Sequence, residues 1–298
     1  MTSTPPDRAS EIALVTGASS GLGLLTAIEL ARAGFRVMAT MRDLARRGAV
    51  EDAARRAGVA VYVCELDVTD PGSIERAVAA ARSIGPRFSV LVNNAGFTMD
   101  GFFEDLSDED LQLQFDTNVF GLAAVTRAFL PAMREHRAGR VINISSISGR
   151  FAGPGYAAYC ASKWAVEGLS EALRFELLPF GIHVVLIEPS GFYGTDILTR
   201  NRRLATRALD PASPYFAATQ RMNAQTAAMS TQMFGDPAQV ARAIVEAATS
   251  PRPALRRRIG RQALWKALRR RLLPARWNER REIRAVFGDT ALADDKSQ

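Results

Sequence analysis

The amino-acid sequence predicts an α/β fold in a single domain, a doubly wound parallel sheet with helices on both faces. Three observations carry that prediction. From Ile12 to Ser190, short β-branched runs alternate with longer amphipathic ones, the pattern of a parallel sheet covered on both sides. The first apolar run passes straight into a glycine-rich turn between Thr16 and Gly23 that then opens a helix. With 298 residues, 47% of them hydrophobic, and a mean hydropathy of -0.04, the chain has enough apolar surface for one large core.

The elements follow in order. Residues 1–10 carry no apolar core and read as a loose tail, not a signal peptide. Residues 12–16 are an apolar run bounded by glycine, a buried first strand. Residues 22–33 have helical spacing and stop at Gly34. Residues 35–40 form the second strand, and an Arg/Ala-rich helix runs on to about Ala57. Residues 59–66 are the third strand, and Pro71 opens a helix where its missing N–H costs little. Residues 88–92 are the fourth strand, and 108–137 read as one long helix bent or interrupted at Pro131. The fifth strand spans 141–145, a helix 156–178 and the sixth strand 182–188. Such a sheet binds ligands beyond its C-terminal strand ends, where the strand order reverses. The domain is expected to cover 11–251, with a substrate lid over 194–234, where periodicity is lost, and a basic extension over 252–298.

The net charge of +7 belongs to that extension: residues 252–281 hold twelve Arg/Lys against the single acid Glu279. Within it, Leu264-Trp265-Lys266-Ala267-Leu268, three arginines and Leu272-Leu273 read as a short basic amphipathic helix. Residues 261–273 could make a weak peripheral contact with an anionic membrane, or pack their Leu/Trp face on the body or on a dimer partner. No nucleic-acid module or stacking platform is visible, so nucleic acid is not an expected partner. Cys64 and Cys160 show neither a disulfide framework nor metal-ligand spacing, which points to a reducing, cytoplasmic setting and no metal. No apolar run approaches the length of a membrane span.

The turn reads Thr16-Gly17-Ala18-Ser19-Ser20-Gly21-Leu22-Gly23. Glycines let backbone approach a pyrophosphate, and the helix N-terminus supplies free N–H groups and a favourable dipole. This is a Rossmann-type dinucleotide site, read from its place between strand and helix. An NAD-preferring site would carry an acid at the end of the second strand. Here the tip is Thr40-Met41-Arg42. Arg42 can pair with a 2′-phosphate, Ser20 can add a donor, and Asp43 should turn away as a helix cap, so NADP(H) is expected over NAD(H). The alternative for Arg42 is an idle surface side chain.

Tyr159 and Lys163 are four apart on a predicted helix and share one face. A nearby ammonium should lower the phenol pKa and tune it for proton transfer. The octet has the form T-G-x-x-x-G-x-G, and Asn93-Asn94-Ala95-Gly96, Asn118 and Tyr159-Cys160-Ala161-Ser162-Lys163 follow in order. In these stretches the chain resembles the short-chain dehydrogenase/reductase family, over about residues 12–250. Its flavour is closest to the oestradiol 17-beta-dehydrogenase type 1 and retinol dehydrogenase branch, through Ala39-Thr40-Met41-Arg42-Asp43-Leu44, Ala128-Phe129-Leu130-Pro131-Ala132-Met133, Leu178-Pro179-Phe180-Gly181 and Val286-Phe287-Gly288-Asp289.

The resemblance implies an oxidoreductase that moves a hydride between nicotinamide and a carbonyl or alcohol. It implies a homodimer or homotetramer. It implies that Tyr159 is the acid/base and that Lys163 also holds the nicotinamide ribose. Ser146, thirteen residues before the tyrosine, would polarise the substrate carbonyl. Asn118 would hold a relay water; satisfaction of buried backbone groups is its other reading, and the two roles can coexist. Asp67 and Val68 would contact adenine; Asn94, Ala95 and Gly96 would line the cofactor. Where the family usually has Pro-Gly and a threonine for the carboxamide, this chain has Pro189-Ser190-Gly191-Phe192-Tyr193-Gly194-Thr195, which leaves the contacts of Pro189, Gly191 and Thr195 to be tested. Phe97, Met99, Phe192, Tyr193, Leu198, Tyr215, Phe216, Met222 and Met229 either line a pocket for a bulky lipophilic substrate or pack the core. A catalytically silent cofactor-binding sensor or scaffold is the alternative function. Such a chain would be expected to lose Tyr159 or Lys163.

Overall fold

A computed structural model describes residues 8–190, 197, 199–230, 235–260 and 272–288. Its elements are β1 (Glu11–Val15), α1 (Gly21–Arg32), β2 (Arg36–Met41), α2 (Gly48–Ala57), β3 (Val61–Glu65), α3 (Pro71–Ile84) and β4 (Arg87–Asn93). There follow β5 (Thr98–Asp100), α4 (Asp108–Phe115), α5 (Leu122–Glu135), β6 (Gly139–Ile144), α6 (Ala157–Leu177) and β7 (Ile182–Pro189). The C-terminal part adds β8 (Arg202–Leu204), α7 (Phe216–Ser230), α8 (Ala238–Thr249), β9 (Arg256–Ile259) and α9 (Ala275–Phe287).

Seven strands form one sheet in the order β3-β2-β1-β4-β6-β7-β9, and every pair is parallel. The order turns back between β1 and β4, which opens the crevice at their C-terminal ends. Strand β1 shows why the runs are apolar throughout. Ala13 and Val15 join the core under α1 and α8, while Ile12 and Leu14 join the core under α3 and α5. Cutting back a fully buried leucine such as Leu14 to alanine costs about 2–5 kcal/mol.

Two elements differ from the sequence reading. The predicted helix over 108–137 is continuous but contains a π-helical turn, Asp116–Gly121, between α4 and α5, and Pro131 lies inside α5 without ending it. The irregularity therefore sits at Asn118, a placement π turns often take at functional sites. The second difference is a correction to the domain boundary. Strand β9 completes the sheet from inside the segment read as a basic extension. Its Arg-Arg-Arg-Ile sequence hides a strand because each arginine has a carboxylate partner elsewhere in the fold. Arg256 meets Glu167 at 2.9 Å and Glu171 at 3.3 Å, Arg258 meets Glu188 at 3.1 Å, and Arg257 pairs with Glu246. Within the lid region the structure places β8 and α7, whose Ala/Gln/Thr-rich sequence is only weakly amphipathic. Among the described residues, no helix is long and apolar enough to cross a membrane.

Candidate active site

The loops after β1 and β4 are stitched together at the crevice. The Thr16 hydroxyl accepts from the amides of Asn94 and Ala95, both at 2.9 Å. The Asn94 side chain donates to the carbonyls of Thr16 and Gly17 at 2.8 and 3.1 Å. No larger residue fits at two positions. Gly17 has φ 66, and a Cβ there would lie 2.9 Å from Ala95 Cα. A Cβ on Gly23 would lie 2.3 Å from the Gly17 carbonyl oxygen and 2.5 Å from the Asn94 side-chain nitrogen. The first bond of α1 runs from the Leu24 amide to the Ser20 carbonyl, so the amides of Gly21, Leu22 and Gly23 stand outside the helical ladder. Ser20 takes the cap position with extended backbone, yet its hydroxyl makes no capping bond, and the first turn carries no acid.

At the tip of β2, Met41 is buried and Arg42 is exposed. Asp43 turns away, its carboxylate accepting from the Ala45 amide at 2.9 Å. Asp67 accepts from the amide and the hydroxyl of Thr69, at 2.9 and 2.7 Å, and Val68 is buried against the π-helical turn, where a Cβ on Gly121 would lie 2.8 Å from its methyl.

The second half of the site lies where β6 ends. Lys163 is buried and donates to the Ile144 carbonyl at 2.8 Å, with its ammonium 5.8 Å from the centre of the Tyr159 ring. The Ser146 hydroxyl accepts from the Ser148 amide at 3.1 Å and lies close enough to Tyr159 to pull the phenol pKa down. Burial outweighs that pull and pushes Tyr159 up to about 12. Lys163 falls to about 8, again through burial, with Glu167 opposing the shift. The sequence-based expectation of a lowered tyrosine is therefore overturned. Two groups buried side by side each lose hydration of their charged form, and lysine's own charge is weakened by the same burial.

The short-chain dehydrogenase family model matches residues 11–205. The chain belongs to the short-chain dehydrogenase family. It is 47% identical over 189 residues to an uncharacterized oxidoreductase of Bacillus subtilis, covering 63% of this chain and 66% of that protein. It is 37% identical over 258 residues to human 17-beta-hydroxysteroid dehydrogenase type 1 (83% and 77% covered). It is 36% identical over 257 residues to bovine retinol dehydrogenase 8 (82% and 80% covered). Among solved structures, a short-chain dehydrogenase/reductase from Burkholderia phymatum in complex with NAD superposes with a TM-score of 0.75 at 26% identity, covering 88% of this chain and 93% of that one. A metagenomic short-chain oxidoreductase in complex with NADP does so at 0.66 and 26%, covering 84% and 96%. The chain is thus an oxidoreductase of this family, and the likeness to the hydroxysteroid and retinol branch holds.

The remaining positions of the site divide clearly. The Asn118 side chain accepts from the Phe97 amide at 3.2 Å and donates to the Phe97 carbonyl at 3.0 Å and to Ser162 at 3.3 Å. It satisfies buried backbone and pins the chain that leads into β5, a role that can coexist with a proton relay. Pro189 ends β7, and Ser190 donates to the Ile259 carbonyl through its amide at 3.0 Å and its hydroxyl at 3.1 Å. The serine that replaces glycine thus ties this loop to β9. Gly191, Phe192, Tyr193, Thr195 and Leu198 lie outside the described residues, as do 231–234 and 261–271. Phe97, Met99 and Met222 are buried in packed clusters, with the Arg203 guanidinium 5.0 Å from the Phe97 ring and Tyr215 stacked on Phe102 at 4.6 Å. Among the described residues no group of acids, histidines and cysteines could hold a metal.

One feature of this wall escaped sequence reasoning. Asp100, 1% exposed, pairs with Arg202 Nε at 2.6 Å, and Arg202 also donates to Asn223 of α7 at 2.6 Å. Burial pushes the Asp100 carboxyl up while Arg202 pulls it back. The partners are about a hundred residues apart, so no local pattern could have announced them.

Proposed function

We propose that this chain uses NADP(H) to interconvert a carbonyl and a secondary alcohol on a bulky lipophilic substrate. The observation that carries the reading is the meeting of Ser146, Tyr159 and Lys163 at the sheet's C-terminal edge, beside a loop shaped for pyrophosphate. The fit to a nicotinamide dinucleotide rests on the tight turn that Gly17 and Gly23 allow, the amides of Gly21, Leu22 and Gly23 left outside the helical ladder and the uncommitted Ser20 hydroxyl. Residues 16–23, with Arg42, Asp67, Val68, Asn94, Ala95, Gly96, Tyr159, Lys163, Pro189, Gly191 and Thr195, would hold it. When bound, the cofactor supplies or accepts the hydride at its nicotinamide C4.

The chain's own groups handle the proton. A phenol with a pKa near 12 keeps its hydrogen at neutral pH, so Tyr159 is set to protonate an alkoxide developing on the substrate. The Ser146 hydroxyl donates to the same oxygen and stabilises its charge. Lys163, still cationic at pH 7 with a pKa near 8, offers donors to the ribose hydroxyls and favours the phenolate left behind.

The cofactor choice rests on Arg42, since similar structures hold either NAD or NADP. Its exposed guanidinium beside a tip without a carboxylate suits a 2′-phosphate dianion. Arg42→Ala should weaken NADPH about ten- to hundred-fold and leave NADH nearly unchanged, as expected for a lost charged hydrogen bond of roughly 1.5–3 kcal/mol. Titrating both cofactors into wild type, Arg42→Ala and Met41→Asp decides it. A wild type that prefers NADH, or equal weakening of both by Arg42→Ala, overturns the assignment. The names of the steroid and retinol relatives support the substrate class. A screen of ketosteroids, retinal and aromatic or aliphatic ketones, followed by NADPH absorbance, tests it. Exposed Phe120, Trp164 and Phe175 support a homodimer or homotetramer, which light scattering would read.

A further inference from the structure

Helix α9 is fixed to the body through one face. Val286 and Phe287 pack with Phe102, Met222 and Tyr215, while Arg221 and Gln225 of α7 donate to the carbonyls of Phe287 and Ala285 at 2.6 and 2.8 Å. The opposite face turns outward with Arg276, Trp277, Arg280, Arg281 and Arg284. Trp277 is 69% exposed, and just before it Leu272 and Leu273 are 68% and 41% exposed. Leu272 and Leu273 lie just before the Pro274 cap from which the helix bearing Trp277 starts. No acidic residue occurs from 252 to 278, and between Leu272 and Arg284 four arginines stand against the exposed Glu279 and the half-buried Glu282.

We propose that this face, from Leu272 to Arg284, docks on the surface of an anionic lipid bilayer. Charge complementarity selects a polyanionic partner, and the apolar residues select which one. An exposed indole and two leucines are suited to the boundary between headgroups and acyl chains, with guanidinium groups at headgroup level. A nucleic acid would use a stacking platform of several aromatic rings, and this face has one. The attachment is a reversible surface contact, since the helix lies on the body and presents a single stripe. Because α9 rests on α7, docking brings the lid side of the site to the bilayer. Delivery of a lipophilic carbonyl from the membrane rests on the substrate reading above; the docking itself does not.

The test is co-sedimentation of the full chain with phosphatidylcholine vesicles, with and without phosphatidylserine. Binding is expected only when phosphatidylserine is present, and it should weaken as salt is raised. Arg280→Gln combined with Arg281→Gln should lower partitioning by about twenty-five-fold, roughly five-fold per cation. Leu272→Ser combined with Trp277→Ser should lower it at least about ten-fold. NADPH affinity and turnover of a water-soluble carbonyl should stay at wild-type values in both variants, which also shows that they fold. No binding to the charged vesicles, equal binding to neutral ones, or vesicle binding that neither variant weakens overturns the proposal. So does retention by duplex DNA without vesicle binding, or a change of oligomeric state as the sole effect of Trp277→Ser. A wild type that turns over no carbonyl yet binds vesicles would sink the enzymatic reading and leave the docking standing.

Discussion

The two walls of the site are held in opposite ways. On the cofactor side, Thr16, Gly17, Ala95 and Asn94 are joined by short neutral hydrogen bonds and by close backbone packing around glycine. On the lid side, β5, β8 and α7 meet through the buried ion pair of Asp100 and Arg202 and its extension to Asn223. The first wall should tolerate changes of charge and fail on added volume. The second should tolerate small changes of volume and fail when a charge is left alone, because an unpaired buried ion loses its hydration without compensation.

The largest expected effect falls where the walls meet. On the proposed mechanism Tyr159→Phe removes the proton-donating hydroxyl, so turnover should drop by about a hundred- to ten-thousand-fold while NADPH affinity changes little. Steady-state rates and a fluorescence titration check both halves, and a variant keeping more than about a hundredth of the wild-type rate would rule the tyrosine out as the acid. Asp100→Ala comes next. Stranding Arg202 should destabilise the fold by about 3–5 kcal/mol, read by denaturant unfolding, with NADPH affinity of the folded protein intact. Gly23→Ala presses a Cβ on the Gly17 carbonyl and the Asn94 side chain, which should cost about 1–3 kcal/mol of stability. Because the turn itself must shift, NADPH binding should weaken as well, unlike in Asp100→Ala. If both variants lost stability and NADPH binding alike, the two walls would be one unit and the contrast would collapse.

A smaller, graded effect follows from Lys163. Its folded pKa lies near 8, so it is cationic below that pH and neutral above it. NADPH affinity should therefore decline as pH rises through about 8, and the inflection should disappear in Lys163→Met. A flat binding profile between pH 7 and 9 in the wild type, the range bracketing that value, would deny the lysine a charged role in holding the cofactor.

Much of the first wall was legible in the chain itself. The glycine octet, the cap at Asp43 and the i, i+4 pair of Tyr159 and Lys163 each depend on residues close in sequence, while Ser146 is picked out through the family resemblance. Their order along alternating strands and helices determined the six central strands and the helices between them, because apolar periodicity is a local property. The tertiary structure decided the rest. Strand β9 exists because Glu167, Glu188 and Glu246 neutralise its arginines, and a run of three like charges says nothing about partners so far away. The lid-side lock needed Asp100 and Arg202 brought together from about a hundred residues apart. Asn118 was found by its position, but its use on the Phe97 backbone follows from where the π-helical turn sets it. The direction of the Tyr159 shift also escaped the sequence, since spacing reports a neighbour's charge while burial, a sum over the whole fold, decides how much water that charge and the phenol keep.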